Sequence, residues 1–395
     1  MLWASAVADD APIDVAVQRA AAVVAAQLGG TPPDLVVAFV SEQHRPAFGR
    51  VPEIIAAQFP PALLLGCSAG GVIGGGREVE QRPAVSLTAA VLPSVEITPF
   101  HLEADALATL VDEPAAWQPV LGVAAAKAPH FVILPEPFSF DAETFLRGLD
   151  GAFPASQKIG GLASGARQPG GNALFLGDTV HRSGCVGVAL SGNVEVETVV
   201  AQGCRPIGVP MFVTGCQGNV IRELDGRPAL QVLQELYEQL PASDQELARH
   251  SLFLGIVMSE HQQAYRQGDF LIRNLVGMDP ERGALAVGAL LRDNAIVQFH
   301  LRDAKTSAED IEALLSRYAG VSAVARPHGA LLFSCLGRGK FLYGRPDHDT
   351  DTFRRHLGEV PLGGFFCNGE IGPVHGTTFL HGYTSAFGLF RGRRT

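Results

Sequence analysis

Positive charge is what this chain has least of relative to need: 30 Lys and Arg against 40 Asp and Glu leave a formal net charge of −10 over 395 residues. Nucleic-acid binding draws most of its affinity from clustered basic side chains, so no nucleic-acid partner is expected. The Arg-Gly-Arg-Arg run at 391–394 is too short to change that. Paired cysteines are missing as well. The six, at 67, 185, 204, 216, 335 and 367, form no CxxC, which excludes a zinc ribbon or a thioredoxin-type motif. Several stand in apolar runs, as reduced core cysteines do. No window reaches 18 uninterrupted apolar residues and no basic leader precedes Asp9 and Asp10. Neither a membrane span nor secretion is therefore indicated, and a cytoplasmic location is expected. The 12 histidines are scattered, so no metal site is expected either. The glycine run at 74–76 has no Walker lysine after it and lacks the G-x-G-x-x-G spacing, which removes a nucleotide loop.

What is present is apolar. With 47% hydrophobic and 18% charged residues, the chain can bury large cores and is expected to hold two or three domains. Residues 13–28 carry Ile13, Val17, Ala20, Ala21, Val24 and Leu28 at helical spacing, stopped by Gly29-Gly30. A strand at 35–40, a helix at 52–58 and a strand at 62–66 follow, the last running into glycine-rich Cys67 to Gly76. The same order returns at 130–134, 141–149 and 158–165, and again at 330–334, 351–357 and 360–372. Each copy delivers the chain to a glycine-marked strand end: Cys67-Ser68-Ala69-Gly70, Leu162-Ala163-Ser164-Gly165 and Phe366-Cys367-Asn368-Gly369. This recurrence reads as internal duplication, and its irregular spacing argues against a solenoid. Strands at 252–257, 270–276, 284–291 and 296–301 precede a helix expected to start at Ser307, three residues before Asp310 in a capping-box pattern, and to run to Tyr318. The fold class that follows is mixed α/β (α+β): duplicated strand-helix-strand units in mixed, largely antiparallel sheets covered by helices. The boundaries read as an N-terminal amphipathic helix over 1–31, a first domain over 32–225 and a second over 226–395, divided at the turn Leu224-Asp225-Gly226.

Candidate chemistry gathers in Val360 to Thr384, where Cys367, Asn368 and Glu370 stand among glycines between Phe365-Phe366 and Ile371. A carboxylate buried there needs a partner. Beyond it, the two-residue period puts Phe379, His381 and Tyr383 on one strand face. Arg273, with Asn274 beside it, interrupts the apolar strand Phe270 to Val276 and reads as a buried guanidinium clamp for a carboxylate, or as half of an internal ion pair. Cys335 ends an apolar strand with Arg338 three residues on, a cation able to activate a thiol. Gly66-Cys67-Ser68-Ala69-Gly70 matches the G-x-S-x-G elbow of serine hydrolases. The glycines after Ser68 are poor helix formers, however, and an elbow must pass into a helix, so Ser68 reads as a turn hydroxyl.

The segments PDLVVAFVS, LLLGCSAGGVIG, FLIRNLVGMD, VQFHLRDA, GALLFSCLGRG and VPLGGFFCNGEIG together resemble the FIST proteins, the F-box and intracellular signal transduction family. The first two resemble its N-terminal domain and the others its C-terminal domain, with no F-box in front. The resemblance implies a sensory module for small ligands such as amino acids, signalling through a protein partner such as a histidine kinase, and no enzymatic activity is expected. It supplies no catalytic residues; its motifs single out Arg273, Asn274, Cys335, Arg338, Cys367, Asn368 and Glu370 as ligand-binding candidates. No cofactor is expected. The alternatives are a haem-binding nitric-oxide sensor, with His381 as axial ligand, and a hydrolase using Ser68 or Cys335. In the preferred reading, Arg273 and Glu370 form opposite poles of one pocket for a small zwitterionic or anionic ligand.

Overall fold

The computed structural model describes residues 1–10, 12–260, 262, 264–321 and 326–393; Arg394 of the basic tail lies outside them. The chain divides into two compact units. Unit 1 comprises Met1–Val200, Glu312–Leu380 and Thr384–Thr395, and unit 2 comprises Ala201–Ile311 with His381–Tyr383.

Unit 1 is one motif used three times. The first repeat runs β1 (Leu2–Ala8), α1 (Ile13–Gln27), β2 (Leu35–Ser41), α2 (Val51–Ala56), β3 (Leu63–Ala69), the hairpin β4 (Gly71–Gly74) and β5 (Arg77–Glu80), and β6 (Val85–Val91). The second runs β7 (Val95–Leu102), α3 (Ala104–Asp112), α4 (Trp117–Leu121), β8 (His130–Pro135), α5 (Ala142–Ala152), β9 (Lys158–Gly161), the hairpin β10 (Leu174–Leu176) and β11 (Thr179–His181), and β12 (Cys185–Gly192). The third opens with β13 (Glu195–Gln202), after which the chain supplies unit 2. That insertion holds β14 (Cys204–Gln217), β15 (Val220–Leu224), β16 (Arg227–Pro228), α6 (Ala229–Gln239), α7 (Ala242–Ser251), β17 (Leu252–Val257), β18 (Phe270–Asp279), β19 (Ala284–Val287) and β20 (Ile296–Arg302). The repeat then resumes through α8 (Ala304–Val321), β21 (Gly329–Cys335), α9 (Lys340–Tyr343), α10 (His348–Leu357), β22 (Leu362–Cys367), the hairpin β23 (Glu370–Val374) and β24 (Thr377–His381), and β25 (Thr384–Arg391).

Each repeat contributes one parallel pair, β2 with β3, β8 with β9 and β21 with β22, which a helical crossover must join. The hairpin of each repeat does not stay at home. The sheets read β1-β6-β2-β3-β10-β11, β7-β12-β8-β9-β23-β24 and β13-β25-β21-β22-β4-β5. Repeat 1 therefore lends its hairpin to the third sheet, repeat 2 to the first and repeat 3 to the second, so the exchange is circular. The inner faces of all three sheets meet in one core, in which Phe39 stacks on Phe365 with ring centroids 4.5 Å apart and Phe333 closes edge-on. The outer faces are covered separately, the first by α1 and α2 and the second by α3, α4 and α5. On the third, Phe353 of α10 stacks on Phe387.

One residue recurs for a steric reason. Gly66, Gly160 and Gly364 occupy the same register against Ala38, Ile133 and Leu332. A Cβ at these positions would lie 2.0, 1.9 and 1.9 Å from the carbonyl oxygens of those partners. Only glycine allows this approach.

Unit 2 is antiparallel throughout its sheet, in the order β14-β20-β17-β18-β19-β15-β16, and β14 also pairs with β15, so the sheet curls back on its own first strand. Its core includes Val213, Leu233, Leu254, Leu285 and Phe299.

The mixed fold and its recurring units agree with the sequence reading, and the differences are local. Leu2–Ala8 is a strand, paired along its whole length with β6, where the pattern showed only the helix after it. The helix expected from Ser307 begins at Ala304, because Asp303 caps it by accepting from the Thr306 amide at 2.7 Å. Ser307 instead donates to the Gly203 carbonyl. Tyr383 does not continue the strand face of Phe379 and His381, since β24 ends at His381 and Tyr383 has φ of 67°.

Replacing Gly364 by Ala should destabilise unit 1 by about 3 kcal/mol, at the upper end of overpacking costs, in chemical denaturation. Gly151→Ala in α5, where nothing lies within 4 Å of the new methyl, should be neutral or slightly stabilising.

Candidate functional site

The three parallel pairs end together, and small polar groups tie the ends to one another. The Ser164 amide donates to the Ser68 carbonyl at 3.1 Å, and the Ser68 hydroxyl faces the Ser164 carbonyl at 3.2 Å. Ser164 Oγ accepts from the Gly70 amide at 2.8 Å and donates to the Phe366 carbonyl at 2.5 Å. The Asn368 amide donates to the Leu162 carbonyl. Behind this seam, buried Glu136 accepts from Asn172 Nδ2, the Phe138 amide and Ser139 Oγ, while Asn172 Oδ1 lies 3.3 Å from Ser68 Oγ.

A cavity of about 230 Å³ opens on this seam. Its lining comes from every repeat: Glu42, Gly70, Glu80 and Gln81 from the first, Gly165, Ala166 and Arg167 from the second, and Leu336, Phe341 and Phe366 from the third. Outside the carboxyl ends of parallel strands is where α/β sheets receive ligands. Leu336 and Phe341 are exposed there at 38% and 71%.

Next to the cavity a buried polar cluster joins the third repeat to the hairpin of the first. Arg338 is fully buried and grips Asp349 through Nε at 2.9 Å and Nη2 at 3.3 Å, while Nη2 also donates to Tyr343 Oη. Asp349 further accepts from Ser385 Oγ at 2.6 Å and pairs with His348 Nδ1 at 2.9 Å; Ser385 Oγ lies 3.2 Å from Ser334 Oγ. Burial works against the Asp349 carboxylate, but Arg338, His348 and Ser385 outweigh it and hold its pKa below the ordinary value. Glu78 of β5 accepts from the Thr350 amide in the first turn of α10 at 2.9 Å, a helix N-terminus that favours a carboxylate. Burial, reinforced by the Asp349 charge, nevertheless pushes Glu78 up to about 8. Cys335 and Cys367 are register partners at the ends of β21 and β22. Cys367 Sγ lies 3.4 Å from the Ser334 carbonyl and 3.5 Å from Glu370 Oε1. Glu370 Oε2 accepts from the Thr384 amide and Oγ1. Burial raises Glu370 to about 7 and drives the Cys367 thiol well above its usual range.

The structure thus collects Cys335, Arg338, Cys367 and Glu370 in unit 1, with exposed Asn368 at the same strand end. Arg273 and Asn274 belong to unit 2. Arg273 is half-buried and donates to the Ile272 carbonyl, and exposed Asn274 accepts from the Tyr383 hydroxyl. Both Glu370 oxygens are engaged inside unit 1, and Glu370 does not line the cavity. Sequence reasoning missed Asp349 and Glu78, whose partners lie 11 and 272 residues away. The His-Asp-Thr-Asp start of α10 was the one available sign of the first.

Two alternatives meet the same geometry. Ser68 is 1% exposed, its hydroxyl serves the seam and the Ala173 amide, and β3 passes into strand β4 with no helix after it. His381 is 3% exposed on β24, and none of the four cavities described has a histidine or cysteine in its lining.

The FIST N domain matches residues 34–227 and the FIST C domain residues 229–373. The chain belongs to the FIST family. Its two domains are sensory domains of signal transduction. A relative in Mycobacterium tuberculosis, an uncharacterized protein, is 40% identical over 380 residues, 95% of this chain and 96% of that one. One from Mycobacterium bovis, also uncharacterized, is 37% identical over 364 residues, 92% of each chain. An F-box/LRR-repeat protein of Arabidopsis thaliana shares 27% over 132 residues, 30% of this chain and 25% of its own. Among solved structures, the cyanuric acid hydrolase from A. caulinodans spans 100% of this chain and 99% of its own at 9% identity, with a TM-score of 0.38, too low to carry an argument. Among the described residues, no helix is long and apolar enough to cross a membrane.

Glu78 sets a pH test. Its proton is held to about pH 8 in the folded state but is released near 4.5 when unfolded, so stability falls as pH rises from about 4.5 to 8 and is level above. Glu370 acts in the same direction up to about 7. Glu78→Gln keeps the bond from Thr350 and abolishes the titration. Its melting temperature should match wild type at pH 5 and exceed it at pH 9, since every pH unit between the unfolded and folded titrations costs the wild type ~1.4 kcal/mol.

Proposed function

We propose that this FIST protein is a small-ligand sensor whose ligand seat is the cavity at the carboxyl ends of the three parallel pairs. The observation that carries the reading is the lining: one small cavity takes residues from all three repeats, so a ligand there touches every repeat of unit 1 at once. Its volume of about 230 Å³ is below the ~300–1,000 Å³ of drug-sized sites, which supports a ligand of amino-acid size over a large cofactor. The lining pairs Glu42 and Glu80 with Arg167 and sets Leu336, Phe341 and Phe366 beside them, charges of both signs next to apolar surface. A zwitterion with an apolar side chain matches that set. Glu80 accepts from the Lys340 amide, which ties the seat to the α9 segment bearing Phe341 and gives ligand occupancy a route to the surface.

Thermal-shift measurements with the common amino acids test this. A ligand at a hundredfold its Kd should stabilise by ~2.7 kcal/mol. Phe341→Ala and Arg167→Gln, both at exposed positions, should leave the ligand-free melting temperature unchanged and remove most of that shift. If no amino acid raises the melting temperature at millimolar concentration, the seat is assigned wrongly.

A further inference from the structure

The buried cluster holds a pair of thiols that ligand binding does not use. Neither Cys335 nor Cys367 is in a disulfide, and the two stand opposite each other in the parallel ladder of β21 and β22. Side chains of such register partners leave the sheet on the same face. Adjacent strands run ~4.8 Å apart, inside the Cα separation of about 4.4–6.8 Å that a disulfide spans. Cys367 Sγ already leans towards β21, touching the Ser334 carbonyl at 3.4 Å. The two differ in access: Cys335 is half-buried and Cys367 fully buried. Cys335 also lies within electrostatic reach of Arg338, a fully buried cation. Glu370 Oε1 is 3.5 Å from Cys367 Sγ, and its other oxygen is fixed by two bonds from Thr384.

We propose that Cys335 and Cys367 are a peroxide-oxidisable dithiol, with Cys335 the thiol oxidised first, Cys367 the resolving thiol and Glu370 the base that takes the Cys367 proton. In the first step the Cys335 thiolate forms an S–O bond to hydrogen peroxide as the O–O bond breaks, and the departing hydroxide takes up a proton to leave as water. Cys335 is then a sulfenic acid. In the second step Cys367 passes its proton to Glu370 and its sulfur attacks the Cys335 sulfur; the S–S bond forms, the S–O bond breaks, and the departing hydroxide recovers a proton to become a second water. The pair loses two electrons and two protons, and the peroxide is reduced to two waters. A carboxyl raised to about 7 is matched to proton transfer at neutral pH, which an ordinary glutamate is not. Because Leu336 directly follows Cys335, Phe366 directly precedes Cys367 and both line the cavity, closing the disulfide reshapes that wall.

The test uses the full chain with Cys216→Ser, which removes a partly exposed thiol of unit 2. Hydrogen peroxide should consume two thiols and give a peptide joining Cys335 to Cys367, and a thiol reductant should restore both. Cys335→Ser should lose the cross-link. Glu370→Gln, isosteric with the protonated acid and so expected to fold, should slow closure at least about tenfold and let a dimedone probe trap the sulfenic acid on Cys335. Oxidation of Cys335 to the sulfinic acid with Cys367 still reduced would overturn the pair. Closure of the Glu370→Gln protein at the wild-type rate would overturn the role of the base.

Discussion

Unit 1 depends on backbone hydrogen bonds that no repeat supplies for itself. A parallel strand pair leaves one edge open, and an open edge must be covered or paired. Here β3, β9 and β22 receive β10, β23 and β4, each from a different repeat. Because the exchange runs in a circle, no repeat can be completed without the other two. The glycines at 66, 160 and 364 sit beside that exchange, where the parallel partner's carbonyl approaches so closely that no side chain fits.

The same circularity explains what was legible in the sequence. The strand-helix-strand order and the glycine-marked ends are local patterns, and both stand in the structure where the periodicity put them. Hairpin exchange is not local: Glu370 pairs across to Gly161, and Val72 to Phe365. Nothing in the spacing of either segment names its partner. The strand Leu2–Ala8 was hidden because three of its seven residues are alanine, weak as a strand signal, and its support is the full-length ladder with β6. Arg273 misled for the opposite reason. An arginine in an apolar run reads as buried, yet β18 turns outward from Asn274 onward, with Val276 and Met278 exposed at 59% and 58%.

Of the candidate site residues, those on strand ends of the repeats came together because the three ends converge; the two on β18 belong to the inserted unit. The residues that sequence reasoning missed share a property. Glu78, Asp349, Ser164 and Asn172 each act through a partner from another repeat or another element, so their importance exists only once the tertiary fold has formed.

The buried cluster also has to settle its charge. Arg338, Asp349, Glu78 and Glu370 together would carry one positive and three negative charges if every group were ionised, an arrangement that desolvation makes prohibitive. The structure resolves it by keeping Arg338 and Asp349 as an ion pair with two guanidinium contacts and by holding Glu78 and Glu370 near or above neutral pKa. At neutral pH the cluster is then close to uncharged, and its acids are poised to change protonation at little cost. A protein needing only stability would be better served by apolar residues of the same volume. The retention of a poised acid against a thiol, on the residue directly after Phe366 of a small cavity lined from all three repeats, is the arrangement that the proposed dithiol requires.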